Sequence, residues 1–260
     1  MKHMIAGIAG VAALLVAAVP AQAAAADPVR ALKKQYAQGK GVRFAERTGL
    51  VAKGKSEPLQ KRTGVFRFDG DRIVRSDISA KGLGKKPLFK PERTIRIGSV
   101  VYVKDAFHAD DLPKGKPWYR KKDGKQDDAG GMLGQPVNVA ELPTLKALMA
   151  KAKRDKDGYR GSITFEELAA VSPTFQDNMV FRADDSTAIT WRLSLGKDGL
   201  PRKLTTSFPG EGFVPMWEGL TVTGETTFTG WGSRVSVKAP PSNQVSSALI
   251  SDEGKVSLGD

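Results

Sequence analysis

The chain has 260 residues, no cysteine, and 41 Lys and Arg against 28 Asp and Glu, for a net charge of +13. Without cysteine there is no disulfide framework, no thiol nucleophile and no acylated lipobox anchor. The positive excess favours anionic partners, and for an exported chain these are headgroups or envelope polymers rather than a specific nucleic acid.

Residues 1–23 read as a secretory signal peptide. Lys2 and His3 give a positive start, residues 5–19 are uncharged and apolar, and Pro20-Ala21-Gln22-Ala23 ends in the small-x-small pattern of a cleavage site. The apolar run is shorter than the ~20 residues a spanning helix needs. The expected product is one exported domain, residues 24–260, released or held at the envelope without a covalent tether. Cleavage anywhere from Ala23 to Ala26 fits.

Beyond the leader, residues 27–38 read as a helix capped by Asp27, with Pro28 in its first turn and Val29, Leu32 and Tyr36 at helical spacing. The period then changes to two. Residues 63–69 and 72–78 flank Asp69-Gly70 as a hairpin, with Phe66 and Phe68 on one face. Residues 94–103 read as one strand carrying Ile95, Ile97, Val101 and Val103 on one face. The stretch 104–136, rich in Gly, Lys, Asp and Pro, reads as a long mobile loop around a short strand at 117–121. Two helices follow, over 139–152 and 165–171. Strands then return at 187–195 (Ile189, Trp191, Leu193 and Leu195 inward), 201–208, 219–229 and 234–238. This order gives an α+β fold, a long antiparallel meander with helices gathered on one face.

Chemistry-bearing motifs are weak. Residues 155–168 (DKDGYRGSITFEEL) echo the end of an EF-hand loop, but one register puts Lys156, Gly158 and Arg160 at the ligand positions. The other puts Tyr159 at the fifth position and Arg160 where glycine is required. His108, the sole histidine beyond residue 3, lies among Asp105, Asp110 and Asp111 and reads as a solvated acidic loop rather than a metal centre. Paired carboxylates such as Asp184/Asp185 and Glu166/Glu167 are adjacent and do not converge. No catalytic, metal or cofactor residue is expected, and the protein reads as a monomer that is not an enzyme. Phe66, Phe68, Ile97, Val101, Ile189, Trp191, Leu193 and Phe228 fit either an ordinary core or the lining of a cavity. The basic residues are spread along the chain, with mild clusters at 53–61, 81–90, 114–125 and 146–156. Solubility alone is the plainer reading of the charge.

Several stretches resemble exported actinobacterial proteins of the LppX/LprG type. They are Gly158-Tyr159-Arg160-Gly161-Ser162-Ile163 before a Glu-Leu-Ala-Ala helix, and Trp191-Arg192-Leu193 with Asp198-Gly199-Leu200-Pro201-Arg202-Lys203-Leu204. Lys116-Pro117-Trp118-Tyr119 after Val101-Tyr102-Val103, and the ending from Trp231 to Pro241, complete the set. The resemblance implies a LolA-like half-barrel, a strongly curved antiparallel sheet with helices on its concave face. It also implies carriage of a lipid or other hydrophobic chain in a cavity between sheet and helices, which the eight apolar residues above would line. The missing lipobox cysteine departs from that pattern. The alternative is an envelope-associated interaction protein that binds anionic polymers through its basic surface.

Overall fold

The computed structural model describes residues 27–121, 129–179, 182–250 and 256–258. The leader expected at 1–23 lies outside them. Among the described residues no helix is long and apolar enough to cross a membrane.

Helix α1 (Pro28–Lys33) starts where expected, with Asp27 accepting from the Val29 and Arg30 amides, and ends earlier than its pattern suggests. There follow β1 (Lys40–Ala52), β2 (Lys55–Asp69), β3 (Arg72–Gly82), β4 (Glu92–Ile97), β5 (Val100–Lys104) and β6 (Trp118–Lys121). A middle section holds α2 (Ala129–Met132), α3 (Leu142–Ala150), β7 (Lys153–Asp155), β8 (Gly158–Thr164), α4 (Phe165–Ala169) and α5 (Pro173–Asn178). The chain closes with β9 (Ala188–Leu195), β10 (Pro201–Pro209), β11 (Thr221–Arg234) and β12 (Val245–Ser246), with β13 (Ala248–Ile250) and β14 (Val256–Leu258) as a side ribbon.

Twelve strands form one sheet in the order β12-β6-β5-β4-β3-β2-β1-β11-β10-β9-β8-β7. All neighbours are antiparallel except β12 on β6. The seam between the two halves is β1 against β11, running from Lys40 opposite Arg234 to Val51 opposite Thr221. The sheet is large, curved and unclosed, with β12 and β7 as its edges.

Directly paired residues share a face, so the register sorts every side chain. On one face Phe44, Phe66, Phe228, Leu204, Leu193, Trp191 and Ile189 meet Leu32 of α1, Leu145 and Leu148 of α3, Phe165 and Leu168 of α4, and Phe175 of α5. On the opposite, bare face a smaller cluster of Ile95, Trp118, Val235 and Val237 forms where the chain beyond β11 crosses back. Residues 234–238 therefore do not extend the sheet as a strand. Val235 and Val237 instead pack across it, and Arg75 donates to the Val237 carbonyl at 3.0 Å.

Two further expectations fail for physical reasons. The stretch 94–103 is two strands, because Gly98, at φ 62°, turns the chain between Ile97 and Val100. The turn puts Ile95 opposite Tyr102 and Arg96 opposite Val101, so Ile97 and Val101 lie on different faces. The stretch 104–136 is not one mobile loop. Leu112 and Trp118 are buried, and the chain from Gly130 onward lies against the helix-bearing face, where residues 134–140 are all buried.

We call 129–140 the strap. The sheet beneath it is polar: Glu46, Thr48, Gln60, Arg62, Glu92, Thr206 and Thr226 are all buried there. Glu46 and Arg62, opposite each other on β1 and β2, pair at 2.8 Å with side chains 3 % and 6 % exposed. Arg62 and Gln60 both donate to the Gly130 carbonyl (3.1 and 3.0 Å), and Glu46 accepts the Gln135 amide at 2.9 Å. Thr48 donates to the Leu133 carbonyl at 2.8 Å. The glycines permit this approach, since a Cβ on Gly130 would lie 2.2 Å from the Glu92 carboxylate and one on Gly134 2.4 Å from the Arg62 guanidinium. Removing one partner of a buried ion pair strands the other without water. Arg62→Met should therefore lower stability by about 3–5 kcal/mol in urea unfolding, with faster amide exchange in the strap.

Candidate functional site

Of the eight apolar residues expected to line a cavity, Phe66, Phe68, Ile189, Trp191, Leu193 and Phe228 share the main core on the helix-bearing face. Val101 is fully buried on the same face, opposite Arg96, whose guanidinium bonds Asp177 of α5 at 2.6 Å. Ile97 is on the bare face with Ile95 and Trp118. The space these residues enclose is occupied: Val137 and Val139 of the strap are buried in the same core. Two voids between strap and sheet measure about 20 and 10 Å3. Clefts that hold small organic ligands run to roughly 300–1,000 Å3.

The motifs weighed for catalysis or metal binding have structural roles. The DKDGYRGS stretch is the tight β7–β8 hairpin, Asp155 opposite Gly158, running straight into α4, whose Thr164–Glu167 capping box closes the helix start. His108 Nδ1 bonds Asp105 at 3.0 Å, and its ring stacks on Tyr119 at 4.9 Å. Burial alone would raise the Asp105 carboxyl, but the hydrogen bonds from His108 outweigh it and hold it below the ordinary range. Among the described residues no cluster of three His, Asp or Glu could hold a metal ion.

Glu141 is the most unusual carboxyl. It is buried ahead of α3 and accepts from Ser172 Oγ (2.6 Å), Thr174 Oγ1 (2.6 Å), the Thr174 amide (2.9 Å) and Thr144 Oγ1 (2.9 Å), tying α3 to α5. Burial pushes its pKa up, against the pull of those hydrogen bonds. Its partners lie in and ahead of the first turns of α3 and α5, so its role is structural.

The bare face is where charge gathers. One row across the strands reads Lys153, Arg160, Arg192, Thr205, Glu225, Arg47, Lys61, Lys81, from β7 to β3. The adjacent row carries Lys203 on β10, Arg93 on β4 and Lys104 on β5. Within these two rows five like-charged pairs stand directly opposite: Lys153/Arg160, Arg160/Arg192, Arg47/Lys61, Lys61/Lys81 and Arg93/Lys104. Such pairs destabilise a sheet. Three cations find acids nearby, Lys203 with Glu225 (2.7 Å), Arg192 with Asp155 (3.1 Å) and Arg93 with Asp77 (2.7 Å). Arg47, Lys61, Lys81, Lys104, Lys153 and Arg160 have no carboxylate partner among the described residues.

Two grooves open along these rows. One, about 660 Å3, is lined by Arg47, Arg160 and Arg192 with the hydroxyls of Thr190, Thr205 and Ser207. Ser56 and Pro58 of β2 line it too, five strands from Arg160, so the sheet bends around it. The other, about 370 Å3, is lined by Lys61, Lys81, Arg93, Lys104 and Trp118, with the Arg93 guanidinium 5.9 Å from the Trp118 ring. The mild basic clusters at 53–61, 81–90 and 146–156 hold Lys61, Lys81 and Lys153, but their alignment with Arg47, Arg160 and Arg192 was not legible because these residues are distant in the chain. Arg47, Lys61, Arg93 and Arg192 alternate with buried neighbours, as Arg47 does with Glu46 and Thr48, and that alternation is a local signal. The pairing that aligns them is not.

No family model and no curated protein matches the chain. Among solved structures it is similar to a LolA superfamily protein from Nitrosomonas europaea, at 7% identity over 78% of this chain and 90% of that one, TM-score 0.32. A DUF1329 family protein from Desulfovibrio piger is similar at 10% identity over 78% and 92%, TM-score 0.28. A porin-like protein from Bacteroides uniformis is similar at 8% identity over 72% and 96%, TM-score 0.24. Overlaps this loose carry no functional argument, so function rests on the chain's own geometry.

The raised Glu141 pKa gives a signed expectation. The folded chain holds that proton more tightly than the unfolded one, so the associated stability is full below the ordinary Glu pKa and is lost as pH climbs through the raised value. The stability difference between wild type and Glu141→Gln should shrink as pH rises from about 4. Urea midpoints of both proteins across the acid range check this, and carboxyls present in both cancel in the difference.

Proposed function

We propose that the protein is an exported, non-enzymatic binding protein of the cell envelope that holds a linear anionic polymer against the bare face of its sheet. The single observation that carries this reading is the set of like-charged cross-strand pairs in these rows. Of these, Lys153/Arg160, Arg47/Lys61 and Lys61/Lys81 have no carboxylate partner on either member among the described residues, a cost to the folded chain that an anion would remove. The first row crosses eight strands, about 34 Å at the ~4.8 Å spacing of a sheet. That length and its open ends suit a chain of repeated negative charges rather than one small anion. The threonine and serine hydroxyls between the arginines supply neutral donors along the 660 Å3 groove.

A second reading, carriage of a lipid chain beneath the helices, is supported by the sequence resemblance and by the apolar faces of β9 and β11. It requires the strap to leave, and a chain taking its place would meet Glu46, Arg62 and Gln60 rather than hydrocarbon. Native mass spectrometry after incubation with phospholipid separates the two. The polyanion reading expects the bare processed chain, whereas a retained acyl ligand would favour carriage.

For the polyanion itself, sodium polyphosphate is the probe. Affinity should fall steeply with salt, and Arg47→Gln with Arg160→Gln should weaken it about tenfold, the slope of log affinity against log salt dropping by about 1 per cation removed. Both positions are exposed, so the melting temperature should not fall. Unchanged polyphosphate affinity in the double variant would rule the reading out.

A further inference from the structure

The pairing directions place several loops at one end of the sheet. Gly82 at the end of β3 stands opposite Gln60, Glu92 at the start of β4 opposite Ala80, and Lys104 at the end of β5 opposite Arg93. Pro209 at the end of β10 and Val51 near the end of β1 both stand opposite Thr221. Loops 83–91, 105–117 and 210–220 therefore leave the sheet on the same side, together with the Lys53-Gly54 turn.

The exposed large apolar side chains of the described residues are Leu88 (64 %), Phe107 (83 %), Met216 (86 %) and Ile250 (38 %). Leu88, Phe107 and Met216 sit on those three loops, one each. Ile250 joins them, because its amide donates to the Asp111 carbonyl at 2.7 Å. At the other end the turns are Gly70-Asp71, Gly98-Ser99, 156–157 and 196–200, and none shows an exposed large apolar residue. Single exposed apolar residues scattered over a surface need no explanation. All four at one end of a long sheet do.

The charge around them is chosen in part. Loop 83–91 carries Lys85, Lys86 and Lys90 around Leu88 and no acid. On the Phe107 loop Lys114 and Lys116, with Lys104 at its start, line a hollow of about 620 Å3, and the one acid in that lining, Asp105, is engaged by His108 at 3.0 Å. Asp105, Asp110 and Asp111 stand on the Phe107 loop and Glu211 and Glu218 on the Met216 loop, so the attraction centres on the Leu88 loop. Apolar tips on separate loops do not make the continuous flat patch of a protein interface. Apolar tips beside a lysine-rich loop free of acids suit a surface that is fluid, greasy beneath and negative above.

We infer that this end of the sheet is a membrane-docking rim, on which Leu88, Phe107 and Met216 enter the interface of an anionic bilayer while Lys85, Lys86 and Lys90 meet its headgroups. The inference stands on observations separate from the cationic rows, and its failure would leave the polyanion reading intact.

The test uses the processed chain, residues 24–260, sedimented with vesicles of phosphatidylglycerol and phosphatidylcholine or of phosphatidylcholine alone. Binding to the anionic vesicles is expected to exceed binding to the neutral ones at least tenfold. The triple variant Leu88→Ser, Phe107→Ser, Met216→Ser should lose at least tenfold of it while keeping its polyphosphate affinity. Arg47→Gln with Arg160→Gln should show the reverse. Because Phe107 is so exposed, Phe107→Trp leaves the fold undisturbed. Its emission, after subtracting the parent spectrum, should shift to the blue on anionic vesicles and be quenched by brominated acyl chains. A triple variant that sediments like the parent, equal binding to neutral vesicles, or unmoved emission in Phe107→Trp would each overturn the rim.

Discussion

The ion pair between Glu46 and Arg62 decides what the inside of this protein is. It lies on adjacent central strands under the strap, at 2.8 Å and nearly without exposure. Neither charge could sit there alone, because an unpaired ion in a dry interior costs several kcal/mol. The pair is satisfied only because backbone from a distant part of the chain completes it, the Gly130 carbonyl accepting from Arg62 and the Gln135 amide donating to Glu46. Sheet and strap therefore specify each other. Taking the strap away would expose not an oily chamber but a polar floor.

That constraint divides the molecule. The helix-bearing face has apolar regions under α1, α3, α4 and α5 and a polar centre under the strap, all of it filled. Tyr36 shows how tightly the parts are joined. Its ring stacks on Phe68 at 4.4 Å, its hydroxyl donates to the Ala140 carbonyl at the end of the strap and accepts the Leu142 amide at 3.2 Å, and burial raises its pKa. With one face committed to packing, the bare face and the loop ends are what remain open to a partner.

Local chemistry in the sequence was enough for the hairpins, the capped helices and the alternating strands. Asp69-Gly70 turns β2 into β3, Asp27 caps α1 by accepting the Val29 amide at 3.0 Å, and Ile189, Trp191 and Leu193 are all buried on one face. Three things were not legible. Gly98 breaks an unbroken apolar alternation, and nothing beside it separates a bulge from a reversal until the partner strand is known. The strap carries the Gly and Gln of a loop, and what buries it is Glu46, Gln60, Arg62 and Glu92, tens of residues away. The cations of the bare face are scattered along the chain, and only the register of eight strands sets them in a row.

Solubility alone does not account for that row. A surface stays soluble with charges of both signs interspersed, and this chain does pair charges on the same face, Lys203 with Glu225 and Arg93 with Asp77. An acid in place of Lys61 would sit between Arg47 and Lys81 and turn two repulsions into two attractions, each worth some tenths of a kcal/mol. An acid in place of Arg160 would do the same between Lys153 and Arg192. Those positions hold cations instead, in grooves large enough to admit another molecule. Repulsion kept where one residue would relieve it, beside open space lined with hydroxyls, is the arrangement expected of a surface completed by an anion from outside the chain.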